Sequence, residues 1–190
     1  MAAPHTVVLD IETKNPISDG FDIDKLEPSV VGIWSSRDDF RAYFENELDE
    51  LWLLLESADL VVGFNIKHFD MPVLAKFYRG NINSLPVLDL LEDVQKQLGY
   101  RLKLDHLVEQ NLGQKKIADG LQAIEFYKNG EIEKLKKYCL DDVRLTKELY
   151  EHGLAHGKLK YIDRYRGESE LAVTWKPLEN IEPVNLTLPF

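Results

Sequence analysis

The chain has 190 residues, 44% of them hydrophobic and 10% aromatic, which is ordinary globular composition and enough length to bury a substantial core. No apolar run approaches the roughly eighteen residues needed to cross a bilayer, and no basic stretch leads into an apolar one at the start, so the expectation is an intracellular, cytoplasmic protein without membrane contact. Twenty-three basic against 33 acidic residues leave a net charge of −10, which argues against an obvious nucleic-acid binder, and the single Cys139 rules out an internal disulfide or a cysteine-built zinc site.

Along the chain, Thr6-Val-Val-Leu-Asp-Ile-Glu12 reads as a strand whose period of two puts Val8, Asp10 and Glu12 on one face and Val7, Leu9 and Ile11 on the other. Either the strand stops near Leu9 and leaves two acids in a solvated loop, or two like charges lie side by side on a core element. The second arrangement is costly without a compensating cation or hydrogen bonds. A polar loop with turn signals at Asn15-Pro16 and Asp19-Gly20 follows. Strands are expected near Val30 to Trp34 and Phe40 to Phe44, then a helix over Asn46 to Ser57 with Leu48, Leu51, Trp52 and Leu55 on one face.

The apolar run Leu60-Val-Val-Gly-Phe64 reads as a central strand, and Asp70 precedes Met71-Pro72 and a helical pattern over 71 to 79. An Asp just before a Pro in the first helical turn is what an N-cap looks like, so capping is the plainer local reading of Asp70. A short strand at 86 to 89 ends on Asp89, either an acid behind the ligating residues or, the better reading, a solvated or capping acid, and helices continue to 152. The helix over 131 to 150 carries an apolar stripe of Leu135, Cys139, Thr146 and Leu149 whose missing member is Asp142. Asp141 shares a face with Lys134, Lys137 and Glu148 and reads as a solvated acid. Tyr138 lies one turn before Asp142, which puts its phenol beside that carboxylate. Three early strands followed by strands alternating with helices give an α/β fold, a mixed sheet flanked by helices.

In this order, Leu-Asp-Ile-Glu-Thr with Asp10 and Glu12, Gly-Phe-Asn-Ile-Lys-His-Phe-Asp with Asp70, and Tyr138-Cys-Leu-Asp-Asp142 resemble the three motifs of the DEDD 3'-to-5' exonucleases, in the branch whose last motif is Tyr-x-x-x-Asp. The wording is most similar to the proofreading domain of family B DNA polymerases and its stand-alone relatives. The segment from Lys103 to Lys116 looks like the helix and Leu-Gly turn those domains place before the last motif. Each motif alone is weak; the ordered set, over residues 5 to 152, is specific. The resemblance implies a ribonuclease H-like fold with three antiparallel strands and then parallel ones. It also implies a pair of Mg²⁺ or Mn²⁺ ions, with Asp10 shared, Glu12 and Asp142 beside the nucleophile, and Asp70 on the leaving-group side.

The implied activity is hydrolysis from the 3' ends of DNA or RNA, single-stranded or frayed, releasing nucleoside 5'-monophosphates. Tyr138 would orient the attacking water, since a phenol with a pKa of roughly 10 is a poor base at neutral pH. Asn65 matches a position that contacts the strand, although locally it is equally a turn residue; Thr13 closes the first motif and is assigned to the substrate with it. Phe64 and Phe69 are either core residues or platforms for terminal bases. Lys67, His68, Lys76, Arg79, Lys115 and Lys116 are the local cations that could guide a strand. A catalytically silent binding or scaffold module on the same fold is the alternative, supported by the acid excess and by the C-terminal tail outside the family match.

After Gly153 the character changes, so residues 1 to 152 are read as the exonuclease domain and 153 to 190 as a C-terminal extension. The extension has one strand expected at Leu171 to Trp175 and an extended close from Ile181. It is expected to pack on the domain or dock a protein partner. His152 and His156, four apart, read as solvated histidines at a helix end.

Overall fold

The computed structural model describes residues 4–16, 22–115 and 120–175. The turn signal at Asp19-Gly20, Lys116 and the closing segment from Ile181 lie outside them. The architecture is a mixed five-stranded sheet flanked by helices, in the order β3-β2-β1-β4-β5. Its strands are β1 (Thr6–Thr13), β2 (Pro28–Ser35), β3 (Asp39–Tyr43), β4 (Leu60–Gly63) and β5 (Val87–Asp89). β1 runs antiparallel to β2, and β2 to β3, while β1, β4 and β5 run parallel. The three parallel strands therefore end at one edge of the sheet, where the loops of an α/β fold open a crevice.

The alternation expected in β1 governs the layering. Val7, Leu9 and Ile11 face one core, shared with helices α1 (Leu48–Glu56) and α2 (Asp70–Ala75) through Leu51, Leu55, Val73 and Leu74. Val8 and Val62 face a second core with α3 (Leu90–Leu98), α4 (Leu104–Leu112) and the long α6 (Ile132–His156). α5 (Gly120–Lys128) packs on α6 through Ala123, against Leu135 and Cys139. Because helices cover both faces, the central strands read as unbroken apolar runs interrupted only where the acids stand.

Three expectations are corrected here. α2 ends at Ala75 instead of 79, and a separate hairpin follows α6, built from β6 (Lys158–Asp163) and β7 (Gly167–Ala172). The strand expected at Leu171 to Trp175 is thus the end of β7 and the segment after it. β6 reads poorly in sequence because its buried residues, Leu159 and Tyr161, are flanked by lysines. α6 runs on past position 152 to His156, where a left-handed Gly157 ends it. Leu159, Tyr161, Leu171, Val173 and Trp175 belong to the same apolar cluster as Val8 and Leu107, and the Trp175 indole donates to Asp93 at 2.8 Å.

α6 can lie close to the sheet because β2 offers Gly32 beneath it. A Cβ on Gly32 would stand 2.8 Å from Cys139 Sγ and 3.0 Å from a Val143 methyl. Gly32 is paired directly with Asp10 in the sheet, and the Cys139 thiol approaches the Asp10 carbonyl at 3.6 Å. One glycine thus sets the height at which the stripe of α6 crosses the acid-bearing end of β1.

Candidate metal centre

That crossing brings Asp10, Glu12 and Asp142 together, each with a carboxylate oxygen within 4.8 Å of the others. It is the one such group of three among the described residues. Asp142 is 4% exposed, in the place the apolar stripe of α6 reserves for a buried residue. Leu135, Cys139, Thr146 and Leu149 are buried with it, so the helix does not turn its stripe outward. Asp10 and Glu12 are half-buried on the same face of β1, and the register with β2 slips between Glu12 and Thr13, an irregularity of the kind that re-aims side chains beside sites.

The group lies in a cavity of about 400 Å³. β1 contributes Asp10, Glu12 and Thr13; the loop after β4 contributes Phe64, Asn65 and Phe69; α2 contributes Asp70, and α6 contributes Tyr138 and Asp142. All nine residues singled out in the sequence thus line one cleft. Leu121 and Ile124 of α5 line it too, and no motif had marked them. Their signal is visible only in hindsight, as apolar residues on a helix that covers the mouth of a polar site.

Asp70 is not the N-cap expected of it. Phe69 takes the cap position without a side-chain bond, and Asp70 is the first helical residue, 3% exposed. Its Oδ1 accepts the backbone N–H of Ile11 at 3.0 Å, tying α2 to the acid-bearing end of β1. Burial, with a smaller push from the charge of Asp89, raises its pKa to about 7 against the pull of the Ile11 N–H and its own. Burial first, and then the charges of Asp10, Glu12 and Asp142, hold the Cys139 thiol well above its ordinary value. The charge part of the Cys139 shift marks a negative potential that a cation would relieve, while that of Asp70 is chiefly a matter of burial.

Asp89 is the residue that the sequence undervalued. It is 1% exposed and caps α3, its Oδ1 accepting from Leu91 and Glu92 at 3.0 and 3.2 Å. The same carboxylate accepts the backbone N–H groups of Asn65 at 2.8 Å and Lys67 at 3.0 Å. It therefore pins the loop that carries Phe64 and Asn65, and it holds Asn65 at a positive φ of 70° that asparagine tolerates better than most residues. The Asn65 Oδ1 in turn accepts from Arg101 at 2.7 Å, which leaves the amide nitrogen as the end that can donate elsewhere.

Several expected strand guides are already engaged. Lys67 pairs with Glu92 at 2.8 Å, Lys115 with Glu109 at 3.0 Å, and Lys76 donates to the carbonyls of Ile23, Asp24 and Leu26. His152 and His156 stack with centroids 4.1 Å apart, and neither belongs to a group of three metal-ligating side chains.

The donor set is chemically coherent. Carboxylate oxygens are hard ligands suited to Mg²⁺, Mn²⁺ or Ca²⁺, and three of them converging in a partly dry cleft fit a divalent ion.

Comparison with known proteins agrees with this geometry. The family model of the RNase_H superfamily matches residues 7–154. The chain belongs to that superfamily. It is similar in fold to the family B DNA polymerase from the hyperthermophilic archaeon Pyrobaculum calidifontis, with a TM-score of 0.61 and 18% identity over 80% of this chain. The match covers 25% of the polymerase, so the chain spans a fraction of that protein's length. No curated protein sequence matches it significantly.

Proposed function

We propose that this member of the RNase_H superfamily is a metal-dependent 3'-to-5' exonuclease that releases nucleoside 5'-monophosphates from single-stranded or frayed ends of DNA or RNA. The observation that carries the reading is the group of Asp10, Glu12 and Asp142, within 4.8 Å of one another and in one cleft with Asp70 and Tyr138. The ordered motifs in the sequence and the fold of the superfamily support it together.

Asp10, Glu12, Asp142 and Asp70 would hold two Mg²⁺ or Mn²⁺ ions. Such ions supply positive charge to a phosphodiester and acidify the water that attacks it. The remaining work belongs to the chain. Tyr138, buried one turn from Asp142, holds the water by its phenol in line with the bond to be broken. Water adds to phosphorus, the bond to the 3' oxygen of the penultimate sugar breaks, and that oxygen leaves with a proton. Asn65 donates its amide N–H to the strand. Phe64 and Phe69, half-buried on opposite cores, flank the terminal bases with their exposed edges, and Thr13 borders the same strand.

The test uses one oligonucleotide labelled at either end, with Mn²⁺ or with chelator. Stepwise mononucleotide release from the 3' end that stops on chelation is expected. Internal cuts, release from the 5' end, or unchanged rates in chelator would overturn the assignment. Matched DNA and RNA strands in the same assay decide the sugar preference.

A further inference from the structure

The β6–β7 hairpin lies beyond the residues that match the superfamily, and its tip is unlike the rest of this acidic surface. The tip reads Arg164-Tyr165-Arg166, all three exposed, with the Tyr165 ring 90% accessible. One exposed ring is ordinary by itself, but between two arginines it offers a stacking face beside two positive charges. The tip is nevertheless ordered by its own chemistry. Asp163 Oδ1 accepts the backbone N–H groups of Tyr165 and Arg166 at 2.8 and 2.9 Å, a turn that displays the intervening side chains outward.

The hairpin is also anchored toward the cleft. Asn111 of α4 bonds both backbone groups of Lys160, at 2.7 and 2.8 Å, and His106 Nε2 accepts the N–H of Ile162 at 2.9 Å. The Tyr100 hydroxyl donates to Asp163 Oδ2 at 2.9 Å, and the next residue, Arg101, reaches Asn65 in the cleft wall. Packing at Tyr100 and its bond to Asp163 push the phenol up to about 12, so it remains a donor across the neutral range. Asn65, Arg101, Tyr100, Asp163 and the tip therefore form a continuous line from the acids to the hairpin.

Charge is compatible with the same line. Many cations are neutralised within the chain, Lys14 by Glu27 and Glu45, Arg41 by Glu50, Lys67 by Glu92, Arg144 by Asp141 and Glu148, Lys158 by Glu170, while others, such as Arg37 and Lys103, are not. Arg101, Arg164 and Arg166 close no ion pair with a described carboxylate. On a chain with ten more acids than bases, these three arginines stand out because the hydrogen-bonded line from the cleft to the hairpin carries them, which makes that line a place where a polyanion can approach.

Resting on the exonuclease reading above, we propose that Arg101 and the hairpin tip form a second contact for the single strand whose 3' end lies in the cleft. Arg101, Arg164 and Arg166 meet phosphates, and the Tyr165 ring stacks on an upstream base. Stacking on a tyrosine tolerates any base, so the contact adds affinity without sequence preference. Strands too short to reach the tip gain nothing from it.

The test compares the wild type with a triple variant, Arg164→Ala, Tyr165→Ala and Arg166→Ala, all on an exposed turn where folding is little affected and a melting curve checks it. Binding of a single-stranded dodecamer and of a dinucleotide is measured in Ca²⁺, and their KM values in Mn²⁺. The dodecamer should bind about tenfold more weakly in the variant, with the change in KM for the dinucleotide several-fold smaller. The slope of log affinity against log salt should fall by about 1.4 as two phosphate contacts disappear. A second variant, Arg37→Ala, removes an exposed cation on the turn between β2 and β3. Equal weakening by that variant, or none by the triple variant, overturns the proposal while the nuclease reading stands. A wild type that neither binds nor shortens either oligonucleotide overturns both, and leaves the hairpin as a surface for a protein.

Discussion

Asp141 and Asp142 are neighbours on α6 and meet opposite fates. Asp141 faces outward, where Arg144 reaches it at 2.7 Å and also pairs with Glu148 at 2.8 Å. Asp142 faces inward, 4% exposed, into the company of Asp10 and Glu12. One acid is answered by a cation of the chain, and the other is assembled with more acids. Within a helix, 100° of rotation separates a surface ion pair of small worth from a centre whose charge calls for a cation from solution.

The sharpest way to break the contrast is to neutralise each acid in turn. Asp142→Asn should lower kcat by about 10³-fold, the scale of losing an electrostatic anchor of the transition state, and should abolish the rise in Tm that Mn²⁺ gives the native chain. An active Asp142→Asn would end the assignment. Asp141→Asn belongs at the other end of the scale.

The next effect tests whether the closeness of α6 matters. Gly32→Ala sets a methyl against Cys139 and Val143, so the helix must shift. A displacement of this kind should cost about 1–3 kcal/mol in stability and about a hundredfold in kcat. Cys139→Ala in the same chain removes the nearer clash and should restore part of both. Chemical denaturation and single-turnover rates read the two quantities separately.

Asp70 supplies a pH signature that Asp141 cannot. With its pKa raised to about 7, the folded chain keeps a proton that the unfolded chain has already lost in the range between about 4 and 7. Its contribution to stability is therefore full below the ordinary carboxylate range and is lost as pH rises to 7. Melts without divalent ions should show this decline, and Asp70→Asn should flatten it. Added Mn²⁺ should stabilise more as pH rises, because binding expels that proton.

The smallest effect is expected at the outward face. Asp141→Asn or Arg144→Ala should cost no more than about 1 kcal/mol, diminishing in high salt, and should leave kcat as it is. A large loss of activity from Asp141→Asn would mean that the two faces of α6 are not independent.

Much of the site was legible before any coordinates. The period of two in β1 placed Asp10 and Glu12 on one face, and the interrupted stripe of α6 marked Asp142 as buried, because both are local patterns of a regular backbone. Asp70 was misread as a cap because the Pro after it carries the same local signal as a true cap. Its actual partner, the Ile11 N–H, is 59 residues away. Asp89 looked ordinary for the same reason: two of the four N–H groups it accepts belong to the loop after β4. The β6 strand went unseen between lysines, and with it the anchored hairpin.

What the amino-acid order settled by itself was which acids lie on which faces of β1 and α6, since helical and strand periodicity follow from backbone geometry alone. What only the tertiary structure decided was that these faces meet. Gly32 lets α6 descend onto Asp10, Asp70 is tied to β1, and Asp89 clamps the loop of Asn65. Those are contacts between segments far apart in the chain, and they exist only once packing has brought the segments together.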